Sequence, residues 1–250
     1  MRDARLCMGM PIEVEVVDGG ESARAAIDDA FAHFAAVDER FSTYKDTSEI
    51  MRINRGELAL HDASEDVQEV FALAEQTRGE TDGYFDIRHP SGQLDPSGIV
   101  KGWAIRGAAA RIRARGHRNF FVNAGGDIAA EGENADEAPW SVGIRNPFSD
   151  GVVKVVYPDG KGVATSGSYV RGAHIYNPHR PDEPLEEIVS VTVIGPDVLE
   201  ADRFATAAFA MGKEGIAFIE ALPGFEAYAI GADGIATMTS GFAAYTKNSL

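Results

Sequence analysis

Cysteine is almost missing from this chain. Cys7 is the single one, so an internal disulfide is excluded, and no Cys/His group has the spacing of a zinc site. Positive charge is scarce too: 23 Lys and Arg stand against 39 Asp and Glu, a formal net charge of -16 with a pI near 4.7. That balance argues against nucleic acid or an anionic membrane as a partner. Only RIRARGHR, Arg111 to Arg118, gathers basic side chains, and it reads as the solvated face and basic C-terminal end of a helix. Long apolar runs are missing: none approaches the roughly 18 residues of a membrane span. Leu6 before Cys7 faintly suggests a lipoprotein cleavage site, but only six residues precede the cysteine and no apolar segment is among them. The expectation is a cytoplasmic protein without a membrane span. Walker A spacing, a G-x-S-x-G elbow and internal repeats are likewise missing, which removes the simplest NTPase, hydrolase and solenoid readings.

What is there is a chain of 250 residues, 44% hydrophobic and 25% charged, enough for a substantial core. PIEVEVV alternates apolar and charged residues and predicts a half-buried strand. ESARAAIDDAFAHFAAVDERF predicts a helix with Ile27, Phe31, Phe34 and Val37 on one face. SEDVQEVFALAEQTRG predicts a second, capped by Ser64, with Val67, Val70, Phe71 and Ala74 as its buried stripe, and VKGWAIRGAAARIRARG a third. NFFVNAGGDIAAEG reads as a hairpin, followed by strands at PWSVGIRNP, VVKVVYP, VATSGSY and EIVSVTVIG. A helix over EADRFATAAFAMG, another at EGIAFIEALPG and two closing strands, FEAYAIG and GIATMTS, complete the chain. Helices mixed with antiparallel strands, without regular βαβ alternation, predict an α+β fold, and no long linker divides residues 1–250, so one domain is expected.

Five polar groupings stand out. Asp202 and Thr206 lie one helical turn apart, so a carboxylate and a hydroxyl project from one side among small apolar residues. A metal ion could join them; equally, the Asp could answer the helix dipole and the Thr bond back to a carbonyl one turn earlier. TDGYFDIRHP strings together Asp82 to Asp86 around a common turn pair. LDPSGIVKGWA sets a tight turn and Lys101 at a helix start, where phosphate could sit, or merely a β-turn with a surface Lys. NAGGD pairs two glycines that suit either a close-approaching ligand or a plain hairpin turn. VATSGSYVRGAHIYNP delivers Thr165, Ser166, Ser168 and His174 near a strand edge, a setting in which a histidine can act as general base or contact a phosphate.

In this order, CMGMP, FSTYKDTSEIMRIN, TDGYFDI, LDPSGIVKGWA, NAGGDI, WSVGIRNP, VATSGSY, HIYNP and VSVTVIGPDVLEADRFATAAFAMG resemble the ApbE family, the FAD:protein FMN transferases. Each motif is weak alone; their collinear order over nearly the whole chain is specific. The resemblance implies a T-fold-like domain with largely antiparallel sheets and packed helices. It implies an enzyme that binds FAD and Mg²⁺, cleaves the pyrophosphate, passes FMN to a Thr or Ser hydroxyl of an acceptor flavoprotein, and releases AMP. Metal ligands carry over to Gly98, Asp202, Ala205 and Thr206, the glycine and alanine through backbone oxygens. Flavin contacts carry over to Met8, Tyr44, Tyr84, Phe85, Asp86, Asp95, Lys101 and Tyr176, whose aromatic members offer faces for ring systems. His174 carries over as base or proton shuttle for the attacking hydroxyl.

The chain departs from the family pattern in places. HIYNPHRPDEP stands where the family has H-x-x-D-P-x-T-G-x-P, so Asn177 replaces an Asp; it can keep the turn but not the charge. Only RHPSGQL separates FDI from Asp95, so a lid over the flavin is expected to be short or absent. Two rival readings share the residues: a Mg²⁺-dependent FAD pyrophosphatase giving free FMN, and a flavin-binding protein without catalysis.

Overall fold

The computed structural model describes residues 1–17, 19–168 and 175–246. Strands β1 (Arg2–Cys7) and β2 (Met10–Val16) form a hairpin whose two turn residues, Met8 and Gly9, both adopt left-handed backbone, φ 52° and 71°. In β2 the alternation read from sequence holds: Ile12, Val14 and Val16 are fully buried, and Glu13 and Glu15 point to the opposite face. Each buried side chain contributes about 1.5–3 kcal/mol, and a one-residue slip would bring Glu13 and Glu15 to the core face, so the register is fixed. Strand β1 was not expected, because no face of RDARLC is apolar. It is tied down by charge instead: the Arg5 guanidinium lies 4.3 Å from the centre of the Phe31 ring and pairs with Asp3 and Asp28, and Arg24 also reaches Asp3.

Helices α1 (Glu21–Phe41), α2 (Glu49–Asn54) and α3 (Glu65–Glu80) follow, then α4 (Ser97–Ala114). The bounds of α1 are those of its periodic stripe. Helix α4 begins one turn earlier than expected: Asp95 Oδ1 accepts the Ser97 N–H at 3.0 Å and the Pro96 carbonyl accepts from Ile99 and Val100, so the expected pre-helical turn is the first turn of the helix. Ser64 does stand at the N-cap of α3, but its hydroxyl caps nothing and is buried without a partner, while its N–H donates to Glu49 Oε2 at 2.7 Å. Phe71 is only half-buried. The basic stretch at the C-terminal end of α4 is solvated and paired with acids, Arg113 with Glu131 and Arg115 with Asp29.

Beyond α4 come β3 (Phe120–Ala124), β4 (Asp127–Glu131), the two-stranded ribbon β5 (Val142–Arg145) and β6 (Val152–Val156), then β7 (Gly162–Gly167), β8 (Ile188–Gly195), α5 (Val198–Ala210), α6 (Gly215–Glu220), β9 (Glu226–Gly231) and β10 (Ala236–Met238). Among the described residues every pairing is antiparallel, and eight strands form one sheet in the order β1-β2-β3-β4-β7-β8-β9-β10. The joint between β4 and β7 is a single register pair, Ile128 with Val163. One half-sheet packs on α1 and α4 through Ile12, Phe34, Ile105 and Phe120; the other packs on α5 and α6 through Val191, Phe204, Phe209 and Ile219. On the opposite face the ribbon closes a third cluster with Ile128, Val163, Ile194 and Phe242. The alanines of α5 answer a spatial need: this helix lies against α4 on one side and β7 and β8 on another, and small side chains let all three approach.

Candidate active site

Where the half-sheets meet, a cleft of about 810 Å³ opens between the start of α4, the middle of α5, the 84–97 segment, the Gly125-Gly126 turn and β5. The two glycines of that turn have φ 62° and 101°, and Asn123 Oδ1 accepts the Gly126 N–H at 3.0 Å. NAGGD is thus both a hairpin turn and part of the cleft wall.

At the cleft floor, α4 and α5 cross so closely that a Cβ on Gly102 would lie 2.8 Å from the Asp202 Cβ and 2.9 Å from the Leu199 Cα. The Gly102 N–H donates to Asp202 Oδ2 at 2.7 Å, a charge-assisted bond that competes with the regular helical acceptor, the Gly98 carbonyl. The Thr206 hydroxyl points to that same Gly98 carbonyl at 3.4 Å and lies 3.5 Å from Ser166 Oγ. Asp202 and Thr206 are therefore turned across the helix crossing onto α4, Asp202 to the Gly102 N–H and Thr206 to the Gly98 carbonyl, and neither serves its own helix end. Burial pushes the Asp202 carboxyl up to about 7, with the Asp127 carboxylate adding to the rise and Lys101 opposing it. Lys101 Nζ lies 3.5 Å from Asp202 Oδ1 and 2.6 Å from Asp127 Oδ2.

A carbonyl, a carboxylate and a hydroxyl lining one cleft floor offer hard oxygens, the kind that Mg²⁺ accepts while keeping waters or phosphate oxygens in its remaining positions. Among the described residues no group of three or more His, Cys, Asp or Glu could hold a metal ion. A soft or tetrahedral site is not what these residues build.

Tyr84, Phe85, Asp86, Asp95, Gly98, Lys101, Tyr176, Asp202 and Thr206 all line the cleft. Phe85 is nearly buried and rests against Gly98, whose missing Cβ leaves room for the ring. Tyr84 meets the His179 ring edge-on with 4.6 Å between centres. The Tyr176 hydroxyl donates to the Arg88 carbonyl at 3.3 Å, and its phenol is pushed up by burial first and by Asp86 and Asp95 next. Asn177 keeps its turn: its Oδ1 accepts the His179 N–H at 2.9 Å. The short segment before Asp95 is clamped by Asn54, which bonds both the N–H and the carbonyl of Leu94.

Three expected residues are not brought to the cleft. Tyr44 is 95% exposed and Ala205 is fully buried, while Met8 sits in the β1–β2 turn, packed against the first core cluster beside the cleft-lining Gly9. His174 lies outside the described residues. Asp127 was missed. It is fully buried, and its Oδ1 accepts the Thr165 N–H at 3.0 Å across the narrow β4–β7 joint. An aspartate directly after a glycine pair was its only signal in sequence.

The sequence model of the ApbE family matches residues 8–91 and 88–229. A Vibrio cholerae protein named FAD:protein FMN transferase is 35% identical over 143 residues, 53% of this chain and 43% of the relative. A Rhodobacter capsulatus protein of the same name is 36% identical over 135 residues, 50% of this chain and 25% of the relative. The aligned stretch thus spans less than half the length of these curated relatives. Among solved structures, the flavin transferase ApbE from Vibrio cholerae superposes with a TM-score of 0.86 at 22% identity over 98% of both chains, and the ApbE protein from Thermotoga maritima with 0.88 at 21% over 99% of both. At those identities the likeness speaks for the fold. The family match itself runs from the Met8 turn through the Gly98, Lys101 and Asp202 crossing into β9, and on that ground this chain belongs to the ApbE family.

Proposed function

We propose that this chain is a Mg²⁺-dependent FAD:protein FMN transferase. The observation that carries the reading is that Gly98, Asp202 and Thr206 line one cleft large enough for a dinucleotide, with Thr206 Oγ1 turned to the Gly98 carbonyl and the Asp202 carboxylate held one turn further along α4 by the Gly102 N–H. The names of the relatives support the same reaction class. In that reaction the acceptor Thr or Ser oxygen forms a bond to the FMN phosphorus and the bond from that phosphorus to the bridging pyrophosphate oxygen breaks. AMP departs with the bridging oxygen, and the hydroxyl proton passes to a base, the role the family resemblance gives to His174.

Asp202, Thr206 and the Gly98 carbonyl would hold Mg²⁺, which when bound supplies positive charge to the pyrophosphate oxygens. Lys101 adds a second positive charge to the same floor. The left-handed Gly125-Gly126 turn lets backbone approach the substrate where a side chain would block it. Tyr84 and Tyr176 offer ring faces for the flavin or adenine, and Asp86 and Asp95 offer acceptors for ring or ribose donors.

The test is intact-mass spectrometry of a Thr-containing acceptor flavoprotein incubated with the protein, FAD and Mg²⁺, with AMP and free FMN followed in parallel. The expected result is acceptor gaining the mass of one esterified FMN, matched by AMP. AMP with free FMN and unlabelled acceptor would replace the transferase by a pyrophosphatase; no AMP would leave a flavin binder.

A further inference from the structure

We infer that Asp127 is a positioning residue for the cation site: it draws the Lys101 ammonium away from Asp202 and so keeps one Asp202 oxygen open to a divalent ion. The inference rests on the proposed function. Asp127 lies too deep for a cleft ligand, being fully buried at the base of the glycine turn. Its two oxygens have separate tasks. Oδ1 accepts the Thr165 N–H at 3.0 Å, which fixes the carboxylate across the joint between the half-sheets, and Oδ2 takes Lys101 Nζ at 2.6 Å.

On Asp202 the division is different. Oδ2 is committed to the Gly102 N–H at 2.7 Å, so Oδ1 is the oxygen available to a cation, and Lys101 stands off from it at 3.5 Å. The ammonium is shared unequally, the nearer carboxylate being the one that no ligand can reach. In so buried a place charges are weakly screened, and an ammonium no longer drawn by Asp127 would close onto Oδ1 and occupy the place of the ion. Asp127 also offers what a removable competitor does not: a fixed position, because the Thr165 bond ties it to β7.

Binding of Mn²⁺, used as the probe and followed by the electron paramagnetic resonance of the free ion, tests this on the full chain without turnover. Asp127→Asn keeps an oxygen for the Thr165 N–H but loses the charge. We expect its Mn²⁺ affinity to fall about tenfold or more, the scale of other losses in the shell around a metal. Adding Lys101→Met to that variant removes the competitor and should restore most of the lost affinity; a role limited to holding the joint together would not be rescued this way. Lys101→Met alone should bind Mn²⁺ at least as tightly as the parent, a readout that survives even if Asp127→Asn fails to fold. Parent-like binding by Asp127→Asn, a double variant as weak as the single one, or weaker binding by Lys101→Met would each overturn the inference while leaving the transferase reading intact. A parent that takes up no Mn²⁺ would overturn the proposed Mg²⁺ dependence, and the inference with it.

Discussion

Helix α4 admits a buried polar side chain at two places, and only one of them is chemistry. At Gly102 the missing Cβ makes room for the Asp202 carboxylate from α5; at Gly107 it makes room for the His33 imidazole from α1, whose Cε1 would lie 2.9 Å from a Cβ there. Both groups are satisfied by α4 backbone, Asp202 accepting from the Gly102 N–H and His33 donating from Nε2 to the Ala104 carbonyl at 3.2 Å. They part in what is left over. Asp202 keeps an oxygen facing the cleft beside Lys101 and Thr206, whereas His33 is flanked by Phe34 and Trp103 and serves only the packing of α1 on α4. At both glycines the opening admits a buried polar group, and the group's spare lone pairs decide whether it can act.

The sharpest way to break the comparison is to fill both openings. Gly102→Ala would push a methyl against the Leu199 backbone and the Asp202 carboxylate, and we expect FMN transfer to fall by ~10²-fold or more, as when one preorganised electrostatic group is lost. Gly107→Ala should cost about 1–3 kcal/mol of stability through overpacking and leave the transfer rate of the folded protein near that of the parent. Transfer assays at a temperature where both remain folded, with thermal melts alongside, check this; equal losses of activity would erase the distinction. Asp202→Ala should match Gly102→Ala in activity without its steric cost.

The next test uses pH, where the two groups have opposite signs. Asp202 titrates at about 7 in the fold and near 3.8 in the free chain, so its contribution to stability is complete below about pH 4 and is lost as pH rises to about 7. His33 is pushed down to about 4, by burial first and Arg111 next, so its contribution is complete above about pH 6.5 and is lost as pH falls toward 4. In denaturant titrations without divalent cation, Asp202→Asn should gain on the parent as pH rises, and His33→Gln should gain on it as pH falls. Curves that run parallel to the parent would remove the assigned titrations. Mg²⁺ should stabilise the parent more at pH 8 than at pH 6, because binding favours ionised Asp202, and should do nothing for Asp202→Ala.

The smallest expected effect sharpens the same lesson with two serines at helix starts. Ser48 accepts the Met51 N–H at 3.1 Å and donates to the Ser42 carbonyl at 2.7 Å, so Ser48→Ala should cost about 1 kcal/mol. The Ser64 hydroxyl is buried without a partner, and Ser64→Ala should be neutral or slightly stabilising in equilibrium unfolding. A larger loss at Ser64 than at Ser48 would contradict the hydrogen bonding described.

How much of this was legible in sequence follows from where each signal lies. The α1 helix and strand β2 were readable because their apolar periodicity is local and matches what is buried. Strand β1 was not, because arginine stacking and ion pairs replace an apolar face, and charge patterns do not reveal a strand. The Asp202 and Thr206 pairing was visible as an i, i+4 spacing, but what turns it toward chemistry is Gly102, 100 residues away. Asp127 was hidden for the same reason: its partners are Thr165 and Lys101, on other elements, and a glycine turn before it explained itself without them. Ser64 shows the converse, a local cap signal that tertiary contact with Glu49 overrode.

The single-pair joint between β4 and β7 bears on how the molecule comes into being. Each half-sheet is built from one continuous length of chain, residues 2–131 and 162–238, so each can complete its own ladders before meeting the other. The cleft floor, drawn from α4 and β4 on one side and α5 and β7 on the other, forms only when the halves dock. Native-state hydrogen exchange should therefore find the Thr165 amide, held by Asp127, opening at lower free energy than Val122 or Val193 in the ladder interiors. Equal protection at all three would mean that the halves fold as one, and that the site arrives with the core instead of after it.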